Sequence, residues 1–188
     1  MVVSQPGTHD LPTVTREIEE FVASGGWDQP PQLFALVPTE HLLREQPDLA
    51  GQVDPSSALT PIAQEALTEP DLGVALASIM WPAAVLGCAL AQEIVMLPPE
   101  AEADLPEGDS DAMSRIAATH PQAREARLVA AALRDGSVAC VLRLRGGDDG
   151  TAGGDGDGVD GVDGVDEVIE HPELAANLTA ALLETLRE

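Results

Sequence analysis

Residues 123–145 read AREARLVAAALRDGSVACVLRLR, and this stretch decides the fold. Two apolar, β-like runs flank Asp135-Gly136, a dipeptide that favours a two-residue type I′ hairpin turn. If Asp135-Gly136 forms the whole loop, Arg134 faces Ser137 across the hairpin. The stretch therefore predicts a pair of antiparallel strands joined by a tight turn.

This register divides the hairpin side chains between two faces, because side chains alternate along a strand. We expect one face to be buried in the core, and the other to be lined by small residues and edged by arginine. The first face carries Val129, Ala131, Leu133, Val138, Cys140, Leu142 and Leu144. The second carries Arg124, Ala126, Leu128, Ala130, Ala132, Ala139, Val141, Arg143 and Arg145.

Arginine is concentrated around this hairpin, since six of the nine basic residues fall between positions 115 and 145. Three interpretations remain open: the arginines pair with local acids on the surface, hold the acidic tract that follows Arg145, or bind an anionic ligand or an acidic partner segment. The planar guanidinium suits carboxylate and phosphate. For the third interpretation Arg124, Arg143 and Arg145 are the candidate binding residues.

Outward from the hairpin, the pattern predicts one α+β domain: a mostly antiparallel sheet of about four strands covered by helices. Thr39 is a predicted helix cap, and Thr60-Pro61 is a predicted helix start. The predicted strands outside the hairpin are 33–37 and 84–97. The predicted helices are 11–23 (capped by Asp10), 39–45, 60–67, 71–80, 109–119 and a final one opening at Pro172.

A Gly/Asp-rich tract interrupts this domain before the final helix. It buries too little apolar surface to offset the entropy of ordering, so we expect a disordered acidic linker at 146–170. Leucines of the final helix share one face and need a surface to dock on. The predicted organisation is a flexible N-terminus at 1–9, one domain formed by 10–145 and 171–188, and the linker inside it.

The chain is strongly acidic, with 33 acids against 9 bases, all of them arginine, and a net charge of −24. This charge argues against nucleic acid and anionic membrane surfaces as partners. The N-terminus lacks the features of a signal peptide, and the longest apolar run, 79–91, is shorter than the ~20 residues of a spanning helix. Two cysteines are too few for a disulfide framework. We therefore expect a cytoplasmic protein.

No group of residues in the sequence amounts to an active site. Residues 155–160, DGDGVD, invite a calcium interpretation, but an EF-hand alignment places Gly153 and Gly164 at the ligand positions 1 and 12. Cys88 and Cys140 lie in apolar strands, where cysteine behaves as a small hydrophobe. Nucleophile-elbow, P-loop and zinc-protease motifs do not occur. We expect no catalytic residue, no metal and no cofactor.

Two segments resemble the signatures of an uncharacterised actinobacterial family of acidic, cytoplasmic, single-domain proteins. They are GWDQPP with LFALVPT at residues 26–31 and 33–39, and WPAAVLGCAL at residues 81–90. The resemblance implies no activity. Each segment contains one of the two tryptophans, Trp27 and Trp81, beside a proline turn. Such an aromatic is either a core corner or an exposed interface anchor.

The sequence favours a non-enzymatic interaction or accessory protein whose partner is another protein. The first alternative is an enzyme or small-ligand binder that uses the arginine-edged face as an anion pocket, with His120 or Cys88 nearby. The second alternative is a calcium-responsive acidic loop. The sequence indicates neither the oligomeric state nor the identity of a ligand.

Overall fold

The computed structural model describes residues 11–97, 100, 115–116, 119–146 and 166–187. These form four helices, a 3₁₀ turn and one six-stranded sheet. In chain order the elements are α1 (Leu11–Ala23), β1 (Gln32–Pro38), α2 (Thr39–Glu45), the 3₁₀ turn (Pro47–Gly51), β2 (Leu59–Ala63), α3 (Leu72–Ala77), β3 (Gly87–Met96), β4 (Arg124–Leu133), β5 (Val138–Leu144), β6 (Glu167–Glu170) and α4 (Ala176–Thr185).

The sheet has the order β2-β1-β3-β4-β5-β6, and all neighbouring strands are antiparallel. The α+β class and the antiparallel sheet are confirmed, but the expected number of about four strands is too low. The two strands that the sequence did not predict, β2 and β6, are the short strands at the two ends of this order.

Strand β2 corrects the predicted helix at 60–67. The Gln64 N–H donates to the Leu33 carbonyl at 2.8 Å, and the alternation of the ladder then turns the backbone nitrogen of Pro61 away from β1. An edge strand tolerates proline at such a position. The Thr39 hydroxyl bonds the Thr60 hydroxyl at 2.8 Å instead of capping α2, whose N-cap is Pro38.

The central hairpin forms where it was predicted, but its register is shifted by one residue. Leu133, not Arg134, pairs with Ser137: the Leu133 N–H donates to the Ser137 carbonyl at 2.9 Å, and the Gly136 N–H donates to Leu133 at 3.0 Å. Gly136 has φ +91°, whereas Asp135 has a negative φ, which excludes a type I′ turn. The loop is therefore three residues long, with glycine in the left-handed position.

The shifted register regroups the two faces of the hairpin, because a one-residue slip exchanges the side chains of one strand. Both faces are buried, and the arginine-edged face does not exist as one surface: Arg143 lies on the α1 side, whereas Arg124 lies at an even position on the other side. The α1 side buries Val129, Ala131, Leu133, Ala139 and Val141. The other side buries Ala126, Leu128, Ala130, Ala132, Cys140, Leu142 and Leu144.

Three layers result, with the sheet between α1 on one face and α3 with α4 on the other. The buried side chains Leu11, Val14, Ile18 and Val22 of α1 pack over strands β2, β3, β4 and β5. Leu182 and Leu186, at the end of the final helix, pack on Cys88, Leu90 and Ala130. Burying each such leucine contributes about 2 kcal/mol. The final helix thus docks on the sheet, as its leucine stripe indicates.

Several predictions fall on residues outside the described ranges. These are the N-terminal tail at 1–9, the Asp10 cap, most of the helix at 109–119, and residues 147–165 of the acidic tract with its calcium-like DGDGVD. Of the predicted linker at 146–170, residues 167–170 are strand β6. No helix in the described part of the chain has the length and apolar character needed to cross a membrane.

Candidate functional site

Arg143 is already bound by a carboxylate. It projects from β5 toward α1, where its Nε and Nη2 donate to the two carboxylate oxygens of Glu19 at 2.5 and 2.7 Å. Glu19 is 1% exposed, and a carboxylate so deeply buried is tolerated when it is paired in this way. The hydrogen bonds that Arg143 donates to Glu19 raise the pKa of Arg143 above its usual value. The guanidinium fork of Arg143 is therefore occupied within the fold.

Arg127, which the sequence did not single out, is the buried centre of the same network. It is 1% exposed, with Nη1 3.8 Å from Glu19 and Nη2 3.3 Å from Glu93. It also donates to the Gly26 carbonyl, while its Nε has no partner. Its position in the apolar alternation of β4 was the available signal, because an arginine at a core-facing position needs buried acceptors.

Trp27 covers this network. The guanidinium carbon of Arg127 lies 4.5 Å from the Trp27 ring centroid, and that of Arg145 lies 5.3 Å from it. Arg145 also pairs with Glu125, whose hydrogen bond raises the pKa of Arg145. Trp27 is half-buried, so its ring is a cover over stacked cations. A role in binding a partner stays a prediction.

Arg124, Arg143 and Arg145 do not share one face of the sheet. Arg124 is exposed at the start of β4, opposite Met96, whereas Arg143 and Arg145 engage Glu19 and Glu125. The first of the three interpretations, pairing with local acids on the surface, describes Arg145, whose partner Glu125 is exposed. Arg143 instead pairs with Glu19, which is buried and distant in sequence. The second also has a contact, since Arg143 Nη1 lies 3.7 Å from Asp166, the last aspartate of the tract. Binding of an anion by the three arginines stays a prediction.

Trp81 is held against the final helix. Its Nε1 donates to the Thr185 hydroxyl at 3.0 Å, and its carbonyl accepts from Arg134 at 3.2 Å. Arg134 also donates to Val85 at 2.9 Å and to the Leu186 carbonyl, at the C-terminal end of α4. A cation at the C-terminal end of a helix donates to a free carbonyl and interacts favourably with the negative end of the helix dipole. The side chain of Arg134 thus joins the WPAAV turn to the final helix.

The two cysteines are buried thiols rather than nucleophiles. Burial raises the pKa of Cys88 to about 11, and its Sγ lies 3.6 Å from the Thr185 hydroxyl. Burial also raises the pKa of Cys140. A reactive thiol needs the opposite shift. His120 uses its Nδ1 locally, accepting the Gln122 N–H at 3.1 Å. Within the described residues, no group of three or more His, Cys, Asp or Glu side chains could hold a metal ion.

The edge of the sheet at β5 and β6 offers a different kind of site. Strand β6 stops at Glu170, opposite Val141, and the chain then turns away at His171-Pro172. Strand β5 continues for three more residues, down to Val138. Beside this step lies a groove of about 260 Å³. We call it the edge groove; it is lined by residues that include Pro12, Val138, Cys140, Glu170, His171 and Pro172.

The backbone of Val138 faces outward at this groove. Because Leu133 bonds Ser137, the antiparallel alternation turns the polar groups of Ala139 toward β4 and those of Val138 and Cys140 away from it. The Cys140 carbonyl accepts the His171 N–H at 3.2 Å. Val138, by contrast, has no strand beside it in the described part of the chain. One N–H and one C=O of the sheet therefore point into the groove.

Polar contacts fix the strand that borders the groove. The Gly146 N–H donates to Asp166 at 2.8 Å, closing the base of β5 and β6, and Arg16 of α1 pairs with Glu170 at 2.6 Å. On β6 itself, Val168 is 43% exposed and Ile169 is 36% exposed. The sequence signal for this site was the Val168-Ile169 pair followed by Pro172, within a tract whose composition favours disorder.

A family model described as PPA1309-like protein matches residues 11–187. Neither a curated protein nor a solved structure matches the chain.

Proposed function

The chain belongs to the PPA1309-like protein family, whose description assigns no activity, and we propose that it is a non-enzymatic interaction protein that receives its partner at the edge groove. The observation that carries the proposal is the outward-facing backbone of Val138, next to an open groove where β6 ends before β5 does. A partner segment that pairs there extends the sheet, a common mode of peptide recognition.

The chemistry of the interior supports a role without catalysis. Glu19 holds Arg143, Arg134 bonds backbone carbonyls, and the pKa of Cys88 is raised by burial. Each of these groups has a partner within the fold, so each contributes to stability. The polar backbone at the sheet edge faces outward instead.

The size of the groove also favours a peptide. Its volume of about 260 Å³ lies below the range of roughly 300–1,000 Å³ that is typical of small-molecule sites. It borders the edge of the sheet at Val138, where an extended chain can lie beside β5. The family signatures at residues 26–39 and 81–90 support an actinobacterial source and a cytoplasmic location as parts of the same proposal.

Photo-crosslinking in cells tests the proposal. A benzoylphenylalanine replaces Val168 at the edge, or Met80, which is 91% exposed on the loop before Trp81. We expect a defined crosslinked species in constant stoichiometry from position 168 and none from position 80. Equal crosslinking from both positions, or none from position 168, contradicts the proposed function.

The variant Val138→Pro tests whether the partner segment pairs with the backbone of Val138. Proline removes an N–H that faces outward, so no bond between β4 and β5 is lost, and edge strands tolerate it. We expect it to abolish the crosslink from position 168 while the protein keeps its circular dichroism spectrum. The matched control is Val138→Thr, which keeps the N–H and the β-branched shape and should keep the crosslink.

A further inference from the structure

Resting on the proposed function, we propose that the occupant of the edge groove is an extended, positively charged segment of another protein. It lies beside β5 in line with β6, bonds the Val138 backbone, and places a small apolar side chain in the groove.

The backbone sets the length and the conformation of the segment. His171 occupies the position opposite Cys140, so two residues of β5, Val138 and Ala139, remain beside the groove. At roughly 3.3 Å per residue this is a space of about 7 Å, enough for about two residues of extended chain. The Val138 N–H and C=O can exchange a pair of hydrogen bonds with one residue of that segment.

The lining of the edge groove favours one kind of side chain in the partner segment. Pro12 approaches from the α1 layer, on the face of β5 that carries Ala139 and Val141, and Pro172 lies in the turn after β6. These surfaces are apolar, and a small or β-branched apolar side chain buries well against them. The polar groups of the lining, Glu170 and His171, belong to the strand end and to the turn that follows it.

The charge around the groove selects the flanking residues of the partner. Glu167 and Glu173 are exposed within three residues of its lining, while Glu170 is paired with Arg16. Complementary charge steers association and favours a cationic segment. A second copy of the chain, with its net charge of −24, is repelled for the same reason.

Fluorescence anisotropy with the full chain tests this. The probe is a labelled acetyl-Arg-Val-Val-Thr-Val-Arg-amide peptide. Its controls are a version with Glu at both ends and a version with N-methylated central residues. We expect saturable binding of the first peptide and at least tenfold weaker binding of both controls. The charge-reversed peptide lacks complementarity, and the methylated one cannot form the backbone bonds.

Variants locate the binding. The double variant Glu167→Lys/Glu173→Lys changes exposed side chains only, and we expect it to weaken binding of the probe peptide at least fivefold. We expect a loss of the same size for Val138→Pro. The matched control Glu65→Lys, also exposed, should leave binding unchanged. Binding of the methylated peptide as tight as that of the probe, or equal loss in Glu65→Lys, reduces the effect to unspecific charge attraction and overturns the inference.

The two proposals can fail separately. Crosslinking from position 168 without binding of the cationic peptide overturns the inference and leaves the proposed function standing. A crosslink from position 168 to a second copy, or to residues 1–10 of the same chain, shows a different occupant and also overturns the inference. Absence of both signals removes both proposals.

Discussion

Arg143 on β5 and Glu19 on α1 form a bidentate ion pair across the helix–sheet boundary, with N–O distances of 2.5 and 2.7 Å. The pair joins residues 124 positions apart in the chain. Arg127 approaches the same carboxylate at 3.8 Å. The buried carboxylate of Glu19 therefore contacts guanidinium groups from two neighbouring strands, β4 and β5, and holds α1 against the sheet.

Glu19→Gln should destabilise the protein strongly. The amide keeps the shape but removes the charge, which leaves Arg143 with the more distant Asp166 and the buried Arg127 with Glu93 alone. Breaking a buried pair typically costs about 3–5 kcal/mol, and the partial exposure of Arg143 places our expectation at about 3 kcal/mol. Urea unfolding measures it. Glu20→Gln, exposed on the same helix, should change stability by less than ~0.5 kcal/mol; equal midpoints for both variants refute the role of the pair.

Stability should fall between pH 9 and pH 11 because of Cys88. Burial raises its pKa from 9.0 to about 11, so over this range the thiol ionises in the unfolded chain while it stays protonated in the fold. The unfolded state then binds fewer protons, and the free energy of unfolding decreases with rising pH, by roughly 2–3 kcal/mol in all.

The composition makes this titration unusually clean, since the chain has neither lysine nor tyrosine to titrate in the same range. Cys140 adds a smaller effect in the same direction. Urea unfolding at pH 8, 9, 10 and 11 measures the slope. In Cys88→Ala most of the slope should vanish, and an unchanged slope in that variant contradicts the assignment.

Trp27→Leu should weaken the cover over the arginines. The ring stacks at 4.5 Å on buried Arg127, and losing a cation–π contact of this kind costs about 1–2 kcal/mol. Trp27→Phe keeps a smaller aromatic face and should lose about half as much. Thermal unfolding compares the two. If Trp27→Phe and Trp27→Leu lower the unfolding midpoint equally, the Trp27 ring stabilises the protein by burying apolar surface and not by cation–π contacts.

Gly87→Ala should impair folding. An added Cβ at Gly87 would overlap the carbonyl oxygen of Ala132 and lie 2.5 Å from Leu133 Cδ2, and both atoms belong to the neighbouring strand. Overpacking against backbone costs about 2 kcal/mol or more. Gly51→Ala is the matched control, because nothing lies within 4 Å of its added Cβ. We expect lower soluble yield and a lower unfolding midpoint for the first variant only.

The central hairpin shows where prediction from sequence stops. Alternating apolar runs and Asp135-Gly136 were enough to place β4, β5 and the turn. The same dipeptide, however, fits a two-residue loop or the last two positions of a three-residue loop, and the choice shifts the register by one. Packing decided it, since in the observed register the apolar side chains of both strands meet α1 on one face and α4 on the other.

The short edge strands show a second limit. Leu59–Ala63 contains Thr60-Pro61, which locally favours a helix start, and Glu167–Glu170 follows a tract rich in glycine and aspartate. Each becomes a strand because a neighbouring strand offers hydrogen bonds to it. That neighbour is distant in sequence for β2 and lies across the tract for β6. The edge groove depends on where β6 ends relative to β5, and the Val168-Ile169 pair followed by Pro172 does not specify that register.

By itself the sequence determined the α+β class, the family resemblance, the apolar stripes of α1 and the final helix, and the strands around Cys88 and Cys140. These are periodic, local patterns that each segment carries alone. Only the tertiary structure decided that Arg143 binds Glu19, that Arg127 is buried beneath Trp27, and that the Val138 backbone faces an open groove. Such contacts join segments far apart in the chain, and their geometry follows from packing and strand register, which no local pattern specifies.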